Sequence, residues 1–297
     1  MASCDFSTHS YSYNDVVGDL DMKNFSISPD IESGKIQLIQ NVLALAPNLT
    51  LFASPWSAPA WMKVTDRVGH GGALNGSAGG EVHKAWAHYY SLFLTAYKAQ
   101  GIVVSAVSTQ NEPTMSPRWE SMHWTAETQR DFIAQDLGPE LARSHPDVKI
   151  IMLDDQRTNL PKWAVTVMAD ETARKYVSGI GVHWYAAVDD LVPHFARLAD
   201  THEKFPDLFI LPTEACEGYL PWNQGPRAGD WKRGQTYSHD IIGDLNAFAV
   251  GWTDWNIVLD RQGGPNHVGN FVDAPIIVDP ANNSSRFYKQ PMFYHLG

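Results

Sequence analysis

The sequence predicts an α/β fold of the (β/α)8 TIM-barrel type, incomplete, with the first strand missing. Two observations predict it. Short apolar, β-prone runs end near positions 6, 56, 112, 155, 185, 214 and 255, and segments of helical period alternate with them throughout. Each run also delivers a polar or aromatic residue at its carboxyl end, the face on which a parallel barrel carries its chemistry. Six whole strands and a stump can be counted where a complete barrel needs eight, so residues 1–297 read as one partial barrel domain.

Taken in order, Met1 to Phe6 reads as the end of a strand, and a polar loop runs to Pro29. A helix follows with Ile36, Ile39, Val42 and Leu43 on one face, stopping before Pro47. Leu49 to Ala53 reads as a strand opening into Ser54 to Trp61, where two prolines forbid regular structure and Trp56 reaches the rim. Gly69 to Gly80 is a glycine-rich surface loop without the spacing of a phosphate cradle. Glu81 to Gln100 is the clearest helix, with Val82, Trp86, Tyr89, Tyr90, Phe93, Leu94 and Tyr97 on its apolar face and Gly101 as its stop.

Gly101 to Pro113 is a buried strand that ends by presenting Glu112, and Pro113 biases Glu112 toward extended backbone. Thr125 caps a helix through about Arg143, Lys149 to Leu153 is a strand, and Pro161 opens the next helix. Gly179 to Tyr185 is a strand, Leu191 to Ala199 a helix, and Leu208 to Thr213 a strand delivering Glu214. A helix around Thr236 to Phe248 and a last strand from Val250 to Asn256 complete the series.

Composition narrows the function classes. A length of 297 residues suits one large domain with an ample core. The formal net charge of −11 argues against nucleic acid and anionic membranes as direct partners. Eleven tryptophans suit the C–H faces of sugars and lipids, although any single one is more often core. Cys4 and Cys216 make no disulfide framework, and no metal-ligand spacing of Cys or His is visible, so neither metal nor cofactor is expected. Cys216 reads as a buried packing thiol. Asn24, Asn48, Asn75, Asn282 and Asn283 are glycosylation acceptors by pattern, while no signal peptide follows Met1 and no apolar run reaches 18 residues.

Glu112 and Glu214 are 102 residues apart, enough for three strand-helix units. Two carboxyls at one barrel rim are what glycoside hydrolysis uses: one protonates the leaving oxygen while the other attacks the anomeric carbon. Alone, Glu112 is as well read as a solvated loop residue. His183 and Tyr185 alternate on one strand and share a face toward Glu214, with a satisfied core histidine as the plainer reading of His183. Asp154 and Asp155 read as ion-pair partners of Arg157.

The segments Met1 to Phe6, Ala53 to Trp56, Asn111-Glu-Pro113, Met152 to Arg157, Val182-His-Trp-Tyr185, Glu214-Ala-Cys216, Gly251 to Asn256, Asn270 to Asp273 and Tyr288 to Gly297 occur in an order that resembles the glucosylceramidases of glycoside hydrolase family 30. The resemblance runs over the whole chain. It implies a retaining β-glucosidase that hydrolyses glucosylceramide by double displacement, with Glu112 as acid/base and Glu214 as nucleophile. It further implies that Asn111 holds the 2-hydroxyl, that Asp5, Trp56, Trp255 and Asn270 complete the glucose contacts, and that His183 and Tyr185 position Glu214. A saposin activator, an anionic lipid surface and a lysosomal location of the full-length relative follow from the same resemblance.

Family members begin with a segment that supplies the first strand and part of a β-sandwich, and end with more sandwich strands. Against them this chain reads as truncated, with two open sheet edges. The loop from Pro113 to Trp119 is shorter than in the vertebrate enzyme, and Trp119 stands where that enzyme has phenylalanine, which leaves the lipid-side specificity open. Two alternatives stand beside this reading: another retaining specificity of the family, such as xylosidase or β-1,6-glucanase, and an inactive binding fragment.

Overall fold

Parallel strands buried on both faces need near-continuous apolar runs, and β2 (Ala106–Ser108) and β3 (Lys149–Gln156) meet that demand: β2 is buried throughout and β3 along all but its ends. The computed structural model describes residues 1–185, 194–279 and 286–297. They fall into two compact units. The first comprises Met1–Cys4, Tyr11–Asp155 and Lys162–Ile180; the second comprises Asp5–Ser10, Gln156–Pro161 and Gly181–Gly297.

In the first unit α1 (Ser28–Glu32) and α2 (Lys35–Leu45) precede β1 (Phe52–Ala53), and α3 (Glu81–Ala99) precedes β2. Next come α4 (Ala126–Phe132), a π-helical turn over Ile133–Leu137, and α5 (Gly138–Ser144). After β3, α6 (Lys162–Met168) and α7 (Glu171–Arg174) lead to β4 (Val177–His183), which passes into the second unit at Gly181. The strands hydrogen-bond in chain order, β1-β2-β3-β4. Phe52 pairs in parallel with Ala106, and Ala106 with Lys149.

Why α3 forms here is plain from its buried face. Trp86, Tyr89, Tyr90, Phe93, Leu94 and Tyr97 are all buried as expected. Tyr13 stacks on Tyr89 and Phe93, and the carboxylate of fully buried Asp30 accepts hydroxyl bonds from Tyr11 (2.7 Å), Tyr13 (2.5 Å) and Tyr97 (2.5 Å). Burial pushes the Asp30 carboxyl up, but Lys35 and the three tyrosine hydroxyls outweigh it and hold its pKa below the usual value. Thr125 caps α4 as expected, in a reciprocal box with Thr128.

Several expectations are corrected. Of the α2 face only Ile36 is buried, while Val42 and Leu45 are exposed. The strand expected from Gly101 keeps its ladder only over β2, and the one from Leu49 only over β1. Met1 to Phe6 forms no strand; its backbone turns back so that Ser3 bonds Tyr11. The glycine-rich loop is partly buried: Gly69 pairs with Glu120, and a Cβ at Gly69 would sit 2.5 Å from the Arg118 carbonyl oxygen. The start expected for the next helix at Leu191 lies outside the described residues, among which the helix runs over Phe195–Lys204, and Asn282 and Asn283 also lie outside them.

The second unit continues β4 and adds α8 (Phe195–Lys204), β5 (Phe209–Glu214) and α9 (Trp231–Asn246). A Cβ at Gly243 on α9 would lie 2.1 Å from the Phe195 ring, so close packing of the two helices requires glycine there. Residues 250–256 form no strand. Val250 and Trp255 bond the β5 segment at Ile210 and Ala215, but the backbone between is held by a side chain, Trp252, whose indole N–H donates to Asp240 (2.9 Å). Beyond the strands read from the sequence lie β6 (Val258–Asp260), β7 (Ile276–Val278), β8 (Phe287–Lys289) and α10 (Pro291–Leu296). β7 is parallel to β6 and antiparallel to β8. Three residues per strand are too few for a periodic signal.

Buried Arg157 donates both arms of its guanidinium to Asp240 (2.8 Å each) and one to Asp244 (2.5 Å). Burial of the guanidinium works against its charge, and the two aspartates more than restore it. No described helix is long and apolar enough to cross a membrane.

Candidate functional site

The sequence-predicted residues divide between the units: Trp56, Asn111 and Glu112 lie in the first, and Asp5, His183, Tyr185, Glu214, Trp255 and Asn270 in the second.

In the first unit the chain leaves β2 by a series of backbone bonds that aim residues 109 to 112. Thr109 N–H donates to Ile151 O (3.0 Å), Asn111 N–H to Pro55 O (2.9 Å), and Glu112 N–H to Asp154 O (2.8 Å). The Gln110 amide donates to the carbonyls of Trp56 and Asn111 (2.8 Å each), so it draws together two residues the sequence marked. Gln110 itself was not singled out, since a buried glutamine between two motif residues has no signature of its own. Asn111 is buried and Glu112 half-buried.

Glu112 is not extended, as the following proline led one to expect. Its φ is +44°, and Leu153 and Asp154 beside it have φ of +66° and +63°. Tertiary hydrogen bonds override the pre-proline bias: with φ positive, the Glu112 amide reaches the Asp154 carbonyl. Such non-glycine conformations cost about 1–3 kcal/mol each and persist where surrounding structure over-determines them. Ser108 Oγ donates to the Asp154 carboxylate (2.5 Å), and Thr114 donates to Asp155 through both its amide (2.9 Å) and its hydroxyl (2.7 Å).

In the second unit Glu214 is the last residue of β5 and His183 the last of β4; both are buried. His183 Nδ1 stands 3.9 Å from Glu214 Oε1, within ion-pair reach for a protonated imidazole. The His183 and Tyr185 rings meet edge-on at 6.0 Å, as residues on one face do. The Tyr185 hydroxyl donates to Cys216 Sγ at 3.4 Å. Cys216 is the buried packing thiol expected, among Leu259, Val272, Ala274 and Ile277, and burial pushes its pKa well up.

Asp5 and Asn270 meet directly: the Asn270 amide donates to Asp5 Oδ2 (3.0 Å), and Asn266 donates to the same oxygen (3.1 Å). Asn266 also accepts from the Asn270 backbone amide (2.9 Å), so it frames both residues. Nothing in its local sequence announces that. Phe6 packs edge-on against Trp255 at 4.8 Å. Next to Trp255, both carboxylate oxygens of Asp254 are sealed from solvent without a hydrogen-bond partner of good geometry among the described residues, although the residue as a whole is only half-buried. Burial raises the Asp254 pKa to about 8, against the pull of the Tyr237 hydroxyl and the nearby amides of Asn256 and Trp255.

A strand-end glutamate anchored by its backbone, and a second one buried beside an imidazole, are the parts a carboxylate-pair hydrolase uses. The family model of the glycosyl hydrolase family 30 TIM-barrel domain matches residues 1–297. The chain belongs to glycoside hydrolase family 30. Among family 30 relatives, it is 48% identical over 302 aligned positions to the lysosomal acid glucosylceramidase of Mus musculus, covering 100% of this chain and 58% of that protein. It is 30% identical to an endo-1,6-β-D-glucanase of Neurospora crassa, covering 91% of this chain and 53% of that one. The crystal structure of SrfJ from Salmonella typhimurium superimposes with a TM-score of 0.89 at 35% identity, over 99% of this chain and 63% of that one. This family 30 chain therefore spans less than two thirds of each of these three relatives, and its α/β architecture is that of a TIM-barrel domain.

Proposed function

We propose that this chain carries the reaction centre of a retaining β-glucosidase that hydrolyses glucosylceramide. The observation that carries the reading is the 48% identity with a glucosylceramidase along the whole chain, in which Glu112 follows one strand and Glu214 closes another. In this reading ionised Glu214 attacks the anomeric carbon while protonated Glu112 gives its proton to the departing oxygen. The glucosyl ester that forms removes the Glu214 charge, and Glu112 then takes a proton from water as water attacks. A retaining pair stands roughly 5–5.5 Å apart.

Asn111 holds the 2-hydroxyl, Asp5, Trp56, Trp255 and Asn270 hold the rest of the glucose, and His183 and Tyr185 position Glu214. The Asp5–Asn270 bond and the His183–Glu214 approach support these groupings. A lysosomal location, glycosylation, a saposin activator and an anionic lipid surface belong to the same reading; the name of the Mus musculus relative supports the first. The similarity to an endo-1,6-β-D-glucanase favours a second reading, cleavage of β-1,6-linked glucan.

The test is release of glucose by the purified protein from glucosylceramide in detergent micelles and from an aryl β-glucoside, and of new reducing ends from a β-1,6-glucan, beside its Glu214→Gln variant. Glucose from the first two, abolished in the variant, is the expected outcome. Preference for the glucan selects the second reading, and activity that survives Glu214→Gln overturns both.

A further inference from the structure

Gln129 has no place in the scheme so far, yet its side chain is wholly buried at the one point where β3 departs from regular geometry. Its Oε1 accepts the Leu153 backbone N–H (2.9 Å) and the indole N–H of Trp163 (2.8 Å). Both partners are donors, which fixes the orientation of the amide. Nε2 has no hydrogen-bond partner among the described residues, so the oxygen alone explains the amide's placement.

Leu153 and Asp154 both have positive φ, and the altered peptide turns the Leu153 N–H toward α4, where Gln129 receives it. After the Thr109–Ile151 bond the next bond between the chains after β2 and along β3 comes three residues on, from Glu112 N–H to Asp154 O. Glu112 is itself at positive φ. Three non-glycine residues in a sparsely populated conformation are thus joined end to end: Gln129 holds Leu153, Leu153 precedes Asp154, and the Asp154 carbonyl holds Glu112.

We propose that Gln129 is a positioning residue for Glu112, acting through the Leu153–Asp154 bulge to hold the backbone from which the acid/base carboxyl projects. The inference rests on the acid/base role of Glu112 given above. Apolar replacement of Gln129 leaves the Leu153 N–H without its acceptor, the bulge relaxes toward a regular strand, and the Glu112 amide loses its anchor.

The decisive experiment compares kcat/KM, which reports the steps up to departure of the aglycone, on phenyl β-glucoside, a poor leaving group that needs the acid, and on 2,4-dinitrophenyl β-glucoside, an activated one that does not. Gln129→Met is expected to lower kcat/KM on the phenyl substrate at least about tenfold while changing kcat/KM on the dinitrophenyl substrate by less than about threefold. Thermal melting checks folding. If Gln129→Met does not fold, Gln129→Asn, which withdraws the acceptor by one methylene, carries the same comparison. Equal losses on both substrates overturn the assignment, and so does failure of both variants to fold, because Gln129 is then a folding residue. Glu112→Gln is the control. If Glu112→Gln splits the two substrates and the Gln129 variants do not, the inference alone fails; if Glu112→Gln shows no split, the acid/base reading fails and takes the inference with it.

Discussion

The two glutamate-bearing strand ends look alike in sequence and are held by different physics. Glu112 is aimed by its backbone, which is forced into positive φ and bonded by the Asp154 carbonyl, while the amides of Gln110 and Gln129 hold the backbone at Asn111 and Leu153. Glu214 ends a regular strand, in a unit whose packing rests on buried ionisable groups: His183, Asp254, and the Arg157–Asp240–Asp244 set. Backbone anchoring fixes direction without depending on protonation. Buried charges make their surroundings sensitive to pH.

The largest effect separates the two ends as chemistry. Glu214→Gln is expected to lower kcat/KM at least about a thousandfold on activated and poor aryl β-glucosides alike, whereas Glu112→Gln loses roughly a hundredfold or more of kcat/KM on the poor substrate and little on the activated one. Initial rates on the two substrates at concentrations well below KM read this directly, and matched losses from the two variants would reverse or void the role assignment.

Next comes Asp240→Ala. It strips Arg157 of a bidentate partner and Trp252 of its acceptor, leaving a buried cation under-compensated. Removing one side of a buried pair costs about 3–5 kcal/mol, so the variant is expected to unfold at markedly lower urea concentration. An unchanged midpoint would mean that the network does not brace the second unit.

A pH effect follows from Asp254, whose pKa burial raises to about 8. A carboxyl raised in the folded state gives stability that is complete below its ordinary value near 3.8 and is lost as pH climbs toward 8. The protein is therefore expected to melt at higher temperature at pH 5 than at pH 8, and Asp254→Asn to narrow that gap. A gap of the same width in the variant would assign the dependence to other groups.

The smallest effect belongs to the first end. Ser108→Ala removes one hydroxyl bond to the Asp154 carboxylate and is expected to cost about 1–2 kcal/mol, read from urea midpoints. A cost many times larger would show that this end, too, depends on its charges.

Much of this was legible in the residues. An apolar run closed by a carboxyl is a local pattern, so Glu112 and Glu214 could be marked before any fold was known; the α3 face and the Thr125 cap are equally local. The conformation of Glu112 was misjudged, because the proline bias is worth less than the bond to Asp154, 42 residues away. The strand expected over 250–256 likewise yields only backbone bonds from Val250 and Trp255 to Ile210 and Ala215, because a ladder depends on what the fold brings alongside and not on the apolar run alone.

What the sequence by itself determined is the alternation of strand and helix, the residue types at the strand ends and, through its motifs, the family. Tertiary structure alone decided which side chains hold those ends: Asn270 on Asp5 across 265 positions, Arg157 on Asp240 across 83, and Gln129 on the Leu153 amide across 24. Periodicity, capping and turn preferences act over a few residues. A buried donor, by contrast, takes whichever acceptor the packed chain brings to it, at any separation along the sequence.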